Sequence, residues 1–432
     1  MRNAEQRAWY VYDWANSAYA STVVTLFLGP YLTLLAKRAA DPAGHVYPLG
    51  IPVDARSYWS YLVSLSVVSQ VLVLPIAGAI ADSSARKKQL LGLCAYVGAA
   101  TTIAMYLLDD SRYQLGGILF LISNLAFGAS MVLYNAFLND IAPEKDRDAV
   151  SSRGWGIGYL GGGLLLALNL LLYRNAKAWG LTQEFAIRVS LCSAGVWWAL
   201  FSIVPMLGLR NRPPIHPAPR AAVLSTGFLQ LAATLRDLRR YPQTLLFLVA
   251  FLLYNDGIQA VIALSGQYGA DYLKIPMADL TLAILMVQFL AFAGAFLFAL
   301  LAKWIGAKPS VLFSLVCWAG LMTAMYAVKT TRDYFIAAAV VALIMGGSQA
   351  LSRSLFSLMI PRGREAEYFS LYEVSDKGTS WLAPLLFGLT LQHTGSYQLA
   401  IFSLIVFFLA GLAVLLRVDV PRAAREAGNA VP

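Results

Sequence analysis

Apolar residues fall along this chain in long blocks broken by short polar connections, a pattern unlike the three- or four-residue periodicity of a water-soluble helix. A helix needs about 20 mainly apolar residues to cross roughly 30 Å of hydrocarbon. That window predicts twelve spans, over 10–36, 57–80, 89–108, 115–139, 154–173, 185–208, 243–265, 280–302, 310–328, 334–360, 371–392 and 398–416. Short connections make consecutive spans antiparallel neighbours. One long polar stretch, 209–242, interrupts the series and divides an N-terminal six-helix bundle (1–208) from a C-terminal one (243–416), with a tail at 417–432. The expected fold is all-α and integral to the membrane, twelve helices in two pseudo-symmetric bundles. The dividing stretch opens with RNRPPIHPAPR, where proline forbids a continuous helix, and continues with Phe228, Leu231, Leu235 and Leu238 on one helical face. That face suits an amphipathic helix lying on the membrane surface, and the basic residues suit a plain linker equally.

Composition makes the bilayer the solvent. Of 432 residues 59% are hydrophobic and 13% charged, with a mean hydropathy of +0.62, against roughly 25% charged in an average soluble domain. Too few charged side chains exist to coat a globule in water. The net charge of +10 takes its meaning from its distribution. With both termini in the cytoplasm and Arg188, Arg353 and Lys377, which fall inside spans, counted with the nearer side, 23 Lys and Arg belong to the cytoplasmic side and ten to the other, as the positive-inside rule requires. The expected location is a bacterial inner (plasma) membrane, with the lipid bilayer as partner and no role for nucleic acid. The first residues lack the short apolar core and small-residue site of a cleavable leader, so the first span is expected to direct insertion. Cys94, Cys192 and Cys317 stand far apart in apolar stretches and read as packing residues.

A repeat supports two related halves. Gly128, Ser130, Leu133 and Pro143 recur at a constant spacing as Gly346, Ser348, Leu351 and Pro361.

Polar side chains inside the spans are costly and ordinarily face a polar cavity or a partner. Spans one, four, seven and ten carry most of them: Asp13 and Asn16; Asn124 and Asn135; Asn255, Asp256 and Gln259; Gln349 and Arg353. Tyr134 and Tyr254 stand beside these amides and join them as cavity candidates. Asp256 lies near mid-membrane by helical rise. A buried Arg353 requires a carboxylate, so it either binds an anionic substrate group or pairs with Asp256. Asp13 is expected near the start of its helix, where the backbone dipole favours a carboxylate, or else as a proton or gate residue, with Glu373 and Asp376 as rival carboxylates.

After span two the chain reads GAIADSSARKK, containing Gly78, Asp82, Arg86 and Lys87. This stretch resembles the loop between the second and third helices of the major facilitator superfamily, a cytoplasmic latch of helix capping and charge pairing. Ser83 and Ala85 depart from the usual basic residue and second glycine. After span eight, ALLAKWIGAK keeps Gly306 and Lys308 but has Ala299 and Lys303 in place of the first glycine and the aspartate. YDWANSAY (12–19), GWGIGYLGGG (154–163), YNDG (254–257) and GGSQALSRS (346–354) are similar to the vacuole-effluxer branch of that superfamily, related to the autophagy-linked amino-acid permeases. The resemblance covers nearly the whole chain. It implies an alternating-access carrier whose first, fourth, seventh and tenth helices line a central cavity.

The function expected is therefore secondary active transport of a small solute, amino acids among the candidates, in either direction and with protons as a candidate coupling ion. A monomer without cofactor is expected. A channel or non-transporting receptor on a carrier scaffold is the alternative, since fold does not fix function. A membrane-embedded enzyme ranks below both, because His45, His216 and His393 fall in three separate connections and no acidic pair has metal-ligand spacing. No P-loop is present, and the glycines of 154–163 suit close helix packing better than phosphate binding.

Overall fold

The structure is a computed structural model and describes residues 2–83, 85–142, 147–212, 236–360, 368, 372 and 380–429. The proposed amphipathic helix of the linker, Glu373 and Asp376 lie outside them. Among the described residues nine helices are long and apolar enough to span a bilayer, ten if the bent pair Met277–Ala291 and Phe296–Ile305 is one span. The helices Tyr58–Ser83 and Leu382–Thr394 occupy the remaining two expected positions, so each of the twelve segments contains helix.

The chain separates into two compact units. The first comprises Met1–Phe228 with Ser265–Ala270 and Pro276–Thr281; the second comprises Leu229–Leu264, Asp271–Ile275 and Leu282–Pro432.

The first unit contains α1 (Arg2–Ala18), α2 (Leu28–Ala39), α3 (Tyr58–Ser83), α4 (Lys87–Ala104), α5 (Tyr113–Ile141), α6 (Arg147–Asn175) and α7 (Gln183–Gly208). A wide π-type turn over Tyr19–Phe27 joins α1 to α2, and there Thr25 Oγ1 donates to the Ala20 carbonyl (3.0 Å). The resulting span, Ala4–Ala39, has 36 residues. At about 1.5 Å per residue that is nearly twice the hydrocarbon thickness, so it tilts or protrudes.

Helix α1 packs chiefly on α6 and α7, α3 on α5, and α4 on α5 and α7. The glycines of span five explain the first of these contacts. A Cβ on Gly154 would lie 2.7 Å from Trp9, on Gly158 2.7 Å from Ser17 Oγ, and on Gly161 2.5 Å from the Trp14 carbonyl. These positions share one face of α6, and their small size lets two backbones meet where lipid offers no hydrophobic drive. Gly156 and Gly163, on other faces, have nothing within 4 Å.

Between α2 and α3 the connection is folded, not merely short. Strands β1 (His45–Val46) and β2 (Val53–Asp54) pair antiparallel, His45 opposite Asp54. Asp41 organises the hairpin: its carboxylate accepts from the Ala43 and His45 amides (2.9 Å each) and the Tyr47 hydroxyl (2.6 Å). Those donors, the Tyr47 hydroxyl foremost, hold the Asp41 carboxyl below the ordinary carboxylate range.

The second unit contains α8 (Pro242–Gln267, through its Leu264), α9 (Met277–Ile305, from its Leu282), α10 (Ala307–Ala324), α11 (Thr331–Leu358), α12 (Leu382–Thr394), α13 (Tyr397–Ser403), α14 (Ile405–Leu416) and α15 (Val420–Glu426). Helix α10 packs on α11 and α14. Gly257 and Gly411 bring α8 against α14, since a Cβ at either would lie 2.9 Å from Phe408 or Tyr254. The Phe408 ring stacks on Trp318 at 5.0 Å. At the repeat positions Ser130 Oγ donates to the Phe127 carbonyl (2.8 Å) and Ser348 Oγ to Met345 (3.1 Å), a back-bond that other helical serines such as Ser66 and Ser314 also make.

Two outcomes follow. Gly161→Ala forces α1 and α6 apart and lowers stability by about 1–3 kcal/mol, whereas Gly163→Ala is neutral; thermal unfolding in detergent, followed by tryptophan fluorescence, measures both. The hairpin's pH response has a sign: a depressed carboxyl stabilises above its unfolded value and loses that contribution as pH falls through the folded one. Hydrogen exchange in residues 41–56, corrected for intrinsic rates, therefore stays slow at neutral pH, accelerates only below roughly pH 4, and loses this acid step in Asp41→Asn.

Candidate functional site

Among the described residues each unit buries one aspartate within a membrane span, and the two are held differently. In the first unit α1 starts at Arg2, which places Asp13 about three turns in. The expected dipole explanation for Asp13 is therefore corrected: Glu5, in the first turn, occupies the favoured position. Asp13 is only 6% exposed, and the Tyr134 hydroxyl donates to its Oδ2 at 2.6 Å. The Trp9 ring stacks on Tyr134 at 4.2 Å while its Nε1 donates to the Tyr134 carbonyl (2.9 Å). Tyr12 covers another side of Tyr134. Gly154 closes the box, since a Cβ there would lie 2.8 Å from Asp13 Oδ2. Spans one and four are thus joined through a carboxylate with a short, charge-assisted bond in an aromatic cage.

Other expected residues of this unit fall nearby on the same helices. Asn16 Nδ2 donates to Met131 Sδ (3.1 Å), a second link from α1 to α5. Asn124 is buried and donates to Ser66 Oγ (2.9 Å), which ties α5 to α3. Asn135 is exposed.

In the second unit Asp256 is fully buried, and both carboxylate oxygens accept from the Ala383 amide (3.3 and 3.2 Å), at the start of α12. A helix N-terminus carries unsatisfied amides and a positive dipole end, so α8 supplies α12 with a capping anion. The expected Asp256–Arg353 pair is not among the described ion pairs; the backbone amide takes that place. Arg353 is exposed on α11 although α11 has the length and apolarity of a span. Gln259 and Gln349 are half-buried and Asn255 buried. Tyr254 and Ser352 share a hydrogen bond of 2.5 Å. Ser352 donates its proton to the Ser348 carbonyl (2.5 Å), which leaves Tyr254 as the donor. Spans seven and ten are thereby joined, as one and four are.

Of the expected latch, Gly78 and Asp82 lie in the last turns of α3 and Arg86 precedes α4, exposed. Lys87 has a partner the sequence reading missed: its Nζ lies 2.9 Å from Asp140 Oδ2 at the end of α5. Asp140 stands in NDIAPEKDRD, where a carboxylate ending span four was the available signal. Ser66, Met131, Ser352 and Ala383 also went unnoticed, because hydroxyl, thioether and amide partners carry no mark in a single sequence. Among the described residues no group of three His, Cys, Asp or Glu could hold a metal.

With this geometry in place, comparison with known proteins decides the family. Residues 1–428 match the family described as vacuole effluxer Atg22-like. The chain belongs to that family. The uncharacterized MFS-type transporter YxiO of Bacillus subtilis (strain 168) is 32% identical over 413 residues, covering 95% of this chain and 94% of that protein. Autophagy-related protein 22 of Yarrowia lipolytica (strain CLIB 122 / E 150) is 27% identical, covering 88% and 78%. Among solved structures, a point mutant of the nucleoside transporter NupG superposes with a TM-score of 0.71 at 13% identity, covering 96% and 99%. A D-xylose-proton symporter superposes at 0.67 and 13%, covering 96% and 95%. The fold is that of the major facilitator superfamily. This member of the Atg22-like family is a multi-pass membrane transporter of the MFS type, and not an enzyme.

One outcome tests the first-unit site. Tyr134→Phe deprives Asp13 of its donor and lowers stability by about 1.5–3 kcal/mol, read by thermal unfolding; in an Asp13→Asn background the same change has at most half that effect.

Proposed function

We propose that this transporter is a proton-coupled secondary carrier of amino acids that works by alternating access, with its termini in the cytoplasm of a bacterial inner membrane. One observation carries the proton coupling: among the described residues each unit buries an aspartate, Asp13 or Asp256, inside a spanning helix with no basic partner among the described ion pairs. An aspartate at the centre of a span costs about 2.5–3.5 kcal/mol on insertion scales, and protonation removes most of that cost. Each partner tolerates both states. Tyr134 can donate to the ionised carboxyl and accept from the acid, and the Ala383 amide donates to either.

Arg353 supports the substrate class. A guanidinium exposed on a spanning helix is disfavoured against acyl chains, which favours a wet surface there, where an amino-acid carboxylate can meet it. Asn255, Gln259 and Gln349, on the same two helices, offer donors and acceptors for the rest of a zwitterion. The relatives named autophagy-related protein 22 belong to the branch whose resemblance suggested amino acids.

Reconstitution in proteoliposomes with labelled amino acids tests this reading. An imposed pH gradient drives accumulation in the wild type. Asp256→Asn, which keeps an acceptor for Ala383, lowers gradient-driven uptake at least about tenfold, equivalent to about 1.4 kcal/mol, while solute counterflow persists. Arg353→Gln abolishes both with folding intact. Uptake indifferent to the gradient overturns the coupling, and saturable transport confined to other solutes overturns the substrate class.

A further inference from the structure

The chain after the last span was expected to be a tail, yet residues 417–429 are folded and engaged. Helix α15 begins with Asp419, whose side chain accepts from the Arg422 amide (3.0 Å), with Pro421 in its first turn. It ends at Gly428, whose φ of +73° suits glycine. There the Gly428 amide bonds to the Arg425 carbonyl (3.1 Å) and the Asn429 amide to the Ala424 carbonyl (2.8 Å), the paired bonds of a Schellman terminus. Val420, Ala423, Ala424 and Ala427 are buried along one face, while Arg422 and Arg425 are exposed on the other.

This local geometry delivers Asn429 to the end of α11. Its Nδ2 donates to the carbonyls of Leu358 (3.0 Å) and Ile360 (2.7 Å), and Thr244 Oγ1 of α8 donates to Met359 between them (2.7 Å). Three successive carbonyls at a helix end, which have no partner within the helix, are all satisfied. The tail also reaches α8 directly, because the Asp419 amide donates to Gln243 Oε1 (2.7 Å). At its root Lys308 Nζ, at the start of α10, donates to the carbonyls of Leu416 (3.1 Å) and Val418 (2.7 Å). Lys308 was read as a survivor of a second latch; it caps the last span instead.

The first unit shows a counterpart after its own sixth span. Arg212 pairs with buried Glu5 of α1 (2.7 Å), and Asn211 accepts from the Lys88 amide (3.0 Å) and donates to Gln89 (2.7 Å) at the start of α4.

We infer that residues 417–429 form an intramolecular strap, keyed by Asn429, that clamps the ends of α8 and α11, the helices carrying Asp256 and Arg353. The strap holds those ends together as one piece, and its release loosens both helices at once. This goes beyond the transport reading and does not depend on which solute is carried.

Hydrogen exchange on the full chain in lipid nanodiscs tests it. In the wild type, amides of 423–429 are as protected as those of 352–358; exchange of 423–429 at random-coil rates overturns the strap without any variant. Asn429→Asp, which sets an acceptor against two carbonyls, speeds exchange in 352–360 and in 243–250 at least about tenfold, with 113–138 of the first unit unchanged. Asn429→Gln, which retains an amide donor, recovers most of the protection. Exchange in 352–360 unaltered by Asn429→Asp, with only the tail loosened, overturns the clamp. Because exchange needs no substrate, its failure leaves the proton and amino-acid tests untouched, and the reverse holds as well.

Discussion

A carboxylate inside a bilayer has either to be neutralised or to be held by donors that stand in for water, and this constraint organises both units. Asp13 obtains its donor from a tyrosine on a neighbouring span; Asp256 obtains one from the exposed amide of a helix start. Either arrangement requires the surrounding helices to come unusually close. The glycines of α6 give α1 its access in the first unit, and Gly257 and Gly411 bring α8 and α14 together in the second. In the first unit, packing and candidate chemistry are one problem solved at the same residues: Gly154 and Gly158, which admit the neighbouring helix, also border Asp13.

The same economy governs helix ends. Backbone carbonyls at the close of a span cannot rely on water once buried, and the chain satisfies them with polar side chains brought from elsewhere in the sequence. Lys308 serves α14 and Asn429 serves α11. In the first unit, the residues leaving α7 bind back to α1 and α4. Each unit thus ends by tying its exit segment back to its own first helix and to a later one, a likeness between the halves that the sequence repeat at 128–143 and 346–361 does not include.

Much of the architecture was legible because lipid imposes a one-dimensional rule: about twenty apolar residues make a span whatever they pack against. Every expected segment carries helix, and the major facilitator resemblance agrees with the superposition on NupG. The polar residues of spans one, four, seven and ten were also visible, since polarity inside an apolar block announces itself. Their partners were not. Asp13 was misplaced because the apolar window began at residue 10 while the helix begins at Arg2; polar residues such as Glu5 extend a helix beyond the lipid without registering as span. The Asp256–Arg353 pairing failed for another reason, namely that a backbone amide donates to the carboxylate where a guanidinium was expected, and no residue letter records a free amide. The folded tail was missed because VPRAAREAGN, with Arg422, Arg425 and Glu426 in ten residues, is too short and too charged to raise hydropathy, although its Pro and Gly mark both ends.

The central claim is that two enclosed carboxyls exchange protons during the transport cycle. Infrared difference spectroscopy of the protein in lipid, stepping the pH, tests it most directly. Protonated-carboxyl bands are expected to appear and vanish reversibly, one lost in Asp13→Asn and the other in Asp256→Asn. A spectrum in which neither substitution removes a titrating band would contradict it.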